Sequence, residues 1–265
     1  MATKDDEPVS AVEGNNIRQV TSELDRRILN FTDITPMKFA IASGYTKLAV
    51  LLIKRRTTLS MCQKRELFEK ALMKKQPTVV ACLLGLNVGV NMPLSFGDYP
   101  LCFATEIRSP ELVKVLLDGG ANSNSVNIQK ETALYIACRE GSVVIANLLL
   151  NAGADVKRAH AMNNNFTPLI VAVANDNREI VQLLLNSKYD VNIDAQDTEG
   201  WTALWHAYSN CNEEVCALLL KAGANADIPN NEGNTIIQEV VEDEDDSFIH
   251  LFKKYSDRKV VPHLS

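Results

Sequence analysis

Small and apolar residues recur along this chain in a rhythm too long for one helix or strand and too regular for chance. Aligning the small residue at the centre of each short apolar stretch gives Ala40, Ala71, Ala104, Ala137, Ala172, Ala207 and Val240, spaced 31, 33, 33, 35, 35 and 33 residues apart. Eleven to thirteen residues after each anchor comes a second apolar block: Leu51-Leu52-Ile53, Cys82-Leu83-Leu84, Val115-Leu116-Leu117, Leu148-Leu149-Leu150, Leu183-Leu184-Leu185, Leu218-Leu219-Leu220 and Leu251-Phe252. Turn signals then follow, as in GGAN at 119–122, GADV at 153–156 and GANA at 223–226. A period in this range predicts a supersecondary unit, two short helices and a connecting turn, that buries its apolar face only by stacking on copies of itself.

The predicted units are 8–30, 31–62, 63–94, 95–126, 127–160, 161–194, 195–228 and 229–256, with 8–30 and 229–256 as divergent caps and with tails at 1–7 and 257–265. Thr-Pro at 35–36 and 167–168 suits helix entry, because a threonine hydroxyl caps the orphan amides and a proline in the first turn gives up no needed N–H. The unit at 63–94 lacks this entry, reading RELFEKALMKKQ. Two units are longer by two residues, and the extra length is assigned to the loops at 157–166 and 192–201.

The stretches TPMKFAIASG (35–44), YPLCFA (99–104), TALYIACREG (132–141), TPLIVAVA (167–174) and TALWHA (202–207), with tails such as GADVKR and GANADI, resemble the ankyrin repeat over about residues 30–255. The resemblance implies an all-α solenoid of helix-turn-helix units joined by short hairpin fingers. The family's motif histidine is replaced throughout, by Lys38, Glu69, Cys102, Tyr135, Ile170, Trp205 and Gln238.

At 46% apolar and 23% charged, the composition excludes disorder, and no apolar run reaches the ~18–20 residues of a membrane span. Six scattered cysteines and four histidines without ligand spacing predict reduced structural thiols and no metal site. No phosphate loop, zinc-protease or nucleophile-elbow motif is present, so neither an enzyme nor a cofactor or small-molecule substrate is expected. Charge is uneven: residues 1–130 carry 17 Lys and Arg against 13 Asp and Glu, and 131–265 carry 10 against 20. The basic stretch Arg26–Lys75 allows a second reading, binding to an anionic membrane surface or a polyanion, although the scarcity of interleaved aromatics argues against nucleic acid. Lys54-Arg55-Arg56-Thr57-Thr58 reads as a basophilic phosphorylation site on Thr58.

Ankyrin domains usually bind proteins through their finger tips and inner helices. Carried over position by position, this implies partner-binding roles for Phe96 and Asp98; Gln129, Glu131 and Arg139; Phe166 and Asn175; Trp201, Ser209 and Asn210. The resemblance also implies hydroxylation at the asparagine closing a D-V-N turn, for which Asn192 is the best match. The expectation is a monomeric cytoplasmic or nuclear adaptor, scaffold or inhibitor. A regulator similar to the inhibitor-of-kappaB family is an alternative, given the acidic run Glu242–Asp246.

Overall fold

A computed structural model describes residues 34–56, 58–186 and 188–256. The first predicted unit (8–30) and both tails lie outside them. Fourteen helices are present among the described residues: α1 (Thr35–Ala42), α2 (Thr46–Arg55), α3 (Met61–Met73), α4 (Pro77–Leu84), α5 (Pro100–Glu106), α6 (Pro110–Asp118), α7 (Ala133–Arg139), α8 (Val143–Asn151), α9 (Pro168–Ala174), α10 (Arg178–Leu184), α11 (Ala203–Ser209), α12 (Glu213–Lys221), α13 (Ile236–Glu242) and α14 (Asp246–Ser256). Strand structure among these residues is confined to two isolated bridges, Val126 with Thr132 and His160 with Phe166. The fold is all-α, a repeat of helix pairs.

Two compact units emerge, Met1–Asn122 and Ser123–Ser265. In the first, α1 pairs with α2, α3 with α4 and α5 with α6, and the pairs stack through α1 on α3, α2 on α4 and α4 on α6. In the second, α7–α8, α9–α10, α11–α12 and α13–α14 pair and stack in the same way. The aligned anchors are fully buried: Ala40, Ala71, Ala104, Ala137, Ala172 and Ala207 are all 0% exposed. A larger side chain at these points would force the pairs apart. Helices α7 and α9 are buried along almost their whole length, so their sequences lack the one-sided stripe of a surface helix.

Local chemistry starts and stops the helices. Thr132, Thr167, Thr202 and Thr235 each accept the N–H of the residue three places on, at 3.1 to 3.4 Å. Helix α3 departs from the others. It runs for 13 residues from a capping box in which Ser60 and Gln63 exchange side-chain-to-backbone hydrogen bonds. Side chains at the replaced histidine positions make their own ties: Tyr135 Oη accepts from Asn163 at 2.6 Å, Glu69 accepts the Ser95 N–H at 2.9 Å, and Lys38 pairs with Glu66.

Candidate partner-recognition face

In the second unit the chain reverses at four fingers, each leading into a helix pair. Each is closed by a backbone bond across its base: Asn127 N–H to Glu131, His160 to Phe166, Asp197 to Trp201 and Asn230 to Asn234, at 2.8 to 3.0 Å. Successive fingers are also joined to one another. His160 Nε2 lies 2.7 Å from the Gln129 carbonyl; because that oxygen only accepts, Nε2 carries the proton. Asn164 accepts the Thr198 N–H at 3.0 Å, and Glu199 accepts the Asn231 N–H at 3.1 Å while the Asn231 side chain donates to the Thr198 carbonyl at 2.8 Å. Gln196 adds a bond to Pro229 at 2.9 Å. Gly200 is required at this junction: its φ is +80°, and a Cβ there would stand 2.7 Å from the Asn231 backbone nitrogen.

This row of bonded fingers exposes two large apolar side chains at adjacent tips, Ile128 at 55% and Met162 at 74%. Behind the tips lies an aromatic cluster. Trp201 stacks on Trp205 with centroids 5.6 Å apart, while Phe166 and Trp201 both meet the His206 ring edge-on at 5.0 and 5.4 Å. His206 Nε2 lies 2.9 Å from Asp197 Oδ2, and Asp197 Oδ1 accepts the N–H groups of Glu199 and Trp201. One buried carboxylate therefore organises both the finger and the ring beneath it.

The positions expected from sequence divide accordingly. Gln129, Asn175, Ser209 and Asn210 are exposed, and Phe96, on a finger of the first unit, is 41% exposed with its ring edge against Phe103. Asn175 turns back to its own helix at Val171 O (2.9 Å), and Asn210 caps the end of α9 through Val173 O (3.2 Å). Phe166 and Trp201 are half-buried rather than projecting, because the histidine of α11 draws both rings inward. Asp98 and Glu131 are buried, which corrects their reading as partner-facing groups. Glu131 accepts from Asn127 Nδ2 at 2.8 Å and pairs with Arg139, which also reaches Glu140, so these charges hold the finger base. Met162 lies outside the positions that the resemblance implies, yet it is the one large apolar residue in the polar tip AMNNN, a pattern that marks it in the sequence.

Register corrects the modification site as well. Asn91, Asn124 and Asp194 each accept the N–H of the residue 31 places on, Asn122, Asp155 and Asn225 respectively. Asn192 thus stands at the level of Asp155 and Asn225, and Asp194 holds the closing position of its turn. Thr58 is exposed beside Arg56, whose Nε donates to its carbonyl at 3.1 Å. Burial holds the Cys138 thiol well above the usual range and pushes Cys216 up to about 12, as expected of neutral core thiols.

Stacked helix pairs with linked fingers define an all-α repeat solenoid. The family description "Ankyrin repeats (3 copies)" matches residues 67–160, 124–197 and 169–258, and the chain belongs to the ankyrin-repeat family. The chain is similar to "Ankyrin repeat, SAM and basic leucine zipper domain-containing protein 1" of Echinops telfairi, at 35% identity over 115 residues, 42% of this chain and 24% of that protein. The relative of the same name from Atelerix albiventris is 35% identical over 127 residues, 46% of this chain and 26% of that one. The chain therefore spans about a quarter of the length of these curated relatives. Among solved structures, the ankyrin repeat domain of Bcl-3, titled a unique member of the IkappaB protein family, aligns with a TM-score of 0.64 and 25% identity, covering 78% of this chain and 93% of that one.

Proposed function

We propose that the second unit recognises a partner protein across its finger row and the adjoining ends of its inner helices, and that the protein acts as a monomeric adaptor, scaffold or inhibitor in the cytoplasm or nucleus. The observation that carries this reading is the bonded finger row with Ile128 and Met162 exposed at neighbouring tips. Fingers already tied together lose little freedom on docking, so apolar contact at their tips converts efficiently into affinity. Gln129 beside Ile128 and Asn163 and Asn164 beside Met162 supply the polar surround that such anchors require, while Asn175, Ser209 and Asn210 are exposed polar groups at the helix ends.

The test is affinity capture with the wild-type chain and with an Ile128→Ser/Met162→Ser variant, followed by measurement of each recovered complex. Loss of a partner from the variant, with an affinity deficit of about 2 kcal/mol or more and an unchanged melting temperature, supports the reading. Retention of every partner at full affinity overturns it. A regulator of the inhibitor-of-kappaB kind is the second reading, supported by the likeness to the Bcl-3 domain together with the acidic run after Val241.

A further inference from the structure

We infer that the first unit carries a second, separate docking site: a methionine-rimmed pocket beside α3 that takes one bulky apolar side chain from an acidic segment of a partner protein. The pocket exists because this repeat begins differently from the others. Where other repeats turn through a finger, α3 starts early at the Ser60–Gln63 capping box, and its added turn carries Met61 and Arg65 out beside the loop that follows α4. Phe68 and Val88, both buried, form the floor of a cavity of about 260 Å³ with Met61 and Met92 at its rim, 57% and 49% exposed. Gly89 leaves room for the Met92 side chain, since a Cβ there would stand 3.0 Å from Met92 Cγ.

Size and charge select the occupant. The cavity is smaller than the ~300–1,000 Å³ typical of drug-sized ligands but larger than the ~150 Å³ that accommodates benzene, which matches a single Leu, Met or Phe side chain. Methionine walls adapt to side chains of different shape. The surroundings are basic. Lys54 and Arg55 are exposed at the end of α2, and Arg56 precedes Met61 by five residues, a span of at most about 18 Å. Lys64 and Arg65 lie on α3 itself, where Lys64 Nζ donates to Leu86 O at 2.9 Å and Arg65 reaches Pro93 O. The two carboxylates of α3, Glu66 paired with Lys38 and Glu69 with Arg65 and the Ser95 N–H, cancel those two bases, and with Lys54, Arg55, Arg56 and Lys64 the local balance stays positive. Acidic residues flanking the anchor complete the fit.

A fluorescein-labelled peptide of about twelve residues, with one central Leu flanked by Glu and Asp, tests this against the full chain by fluorescence anisotropy. Saturable binding is expected, weakening severalfold between about 50 and 300 mM salt. It should fall about tenfold in Met61→Ser/Met92→Ser, and also in Lys54→Glu/Arg55→Glu. These four positions are exposed or half-exposed, and circular dichroism melts confirm that each variant folds. Equal binding of a peptide with uncharged flanks, or of one with Ala in place of Leu, overturns the inference. So does co-sedimentation with phosphatidylserine vesicles that depends on Lys54 and Arg55 but not on Met61 and Met92, or a concentration-dependent dimer abolished by Met61→Ser. The finger-row reading stands or falls separately, because Ile128→Ser/Met162→Ser leaves this peptide's binding unchanged.

Discussion

At the turn between paired helices one residue in each described repeat adopts positive φ: Gly44, Lys75, Arg108, Gly141, Asp176, Cys211 and Glu244. Two are glycines, and the other five hold a side chain in a region that costs about 1 kcal/mol or more. Cys211 is exposed, so Cys211→Gly is expected to raise stability by about 0.5–1 kcal/mol, read by denaturant unfolding. Gly141→Ala is expected to cost more than Gly44→Ala. A Cβ at Gly141 would stand 2.6 Å from Asn177 Oδ1 and displace the side chain that caps Cys138 O and Arg139 O, whereas nothing lies within 4 Å at Gly44. Sequence revealed Gly44 and Gly141 through their motif, but not Lys75, Arg108 or Cys211. Helix-pair geometry imposes their conformation against local preference. The same kind of override hid the inward turn of Phe166 and Trp201: position on a finger is visible in a sequence, but the ring of His206 beneath it is not. Trp201→Ala is accordingly expected to lower the melting temperature, with a loss on the order of 2 kcal/mol for a half-buried stacked ring.

At the level of helices, most starts were legible because threonine caps and first-turn prolines act through neighbouring atoms. Helix α3 was not, since its repeat lacks the Thr-Pro entry and starts from a different cap. Its signal was present nonetheless, a Ser60-x-x-Gln63 box just upstream. Ser60→Ala is expected to cost about 1 kcal/mol and to raise amide exchange at the start of α3, measured by hydrogen exchange. At the other end of the chain Asp245 accepts from the Ser247 hydroxyl and from the Phe248 and Ser247 N–H groups, which holds its carboxyl below the usual carboxylate range. A depressed folded value means that the cap contributes above the unfolded value and is lost as pH falls through the acid range. Asp245→Asn is expected to flatten that pH dependence at the start of α14, followed by hydrogen exchange near pH 4 and below.

At the scale of the repeat array, nearest-neighbour packing makes an uncovered end expensive. Helix α14 packs on α12, and the Phe248 ring meets Tyr208 edge-on at 4.9 Å. Truncation before Asn231 removes that cover from the buried layer Val215, Cys216 and Leu219 and is expected to produce aggregation, read by light scattering. From Ala40 to Ala207 the repeat rhythm was legible, because each anchor is fully buried between packed helices, where a small residue fits. The placing of the two extra residues was only half legible. The first pair lengthens the tip of the His160–Phe166 finger, whose ends are six residues apart where those of Asp197–Trp201 are four apart. The second pair lies not at 192–201 but between Leu185 and Asn192, seven residues apart where Leu150 and Asp155 are five. Only the bond from Asn225 to Asp194 reveals this.

That second lengthening has a practical consequence. Downstream of it Asp194 and Asp197 return to the places their counterparts occupy elsewhere, so the segment between Leu185 and Asn192 absorbs added chain without passing a displacement onward. It is a natural grafting point. A short Gly-Ser epitope inserted after Tyr189 roughly doubles the connection at a cost of about 0.6 kcal/mol, which leaves the melting temperature within a few degrees and gives a reporter handle on the connection that follows α10.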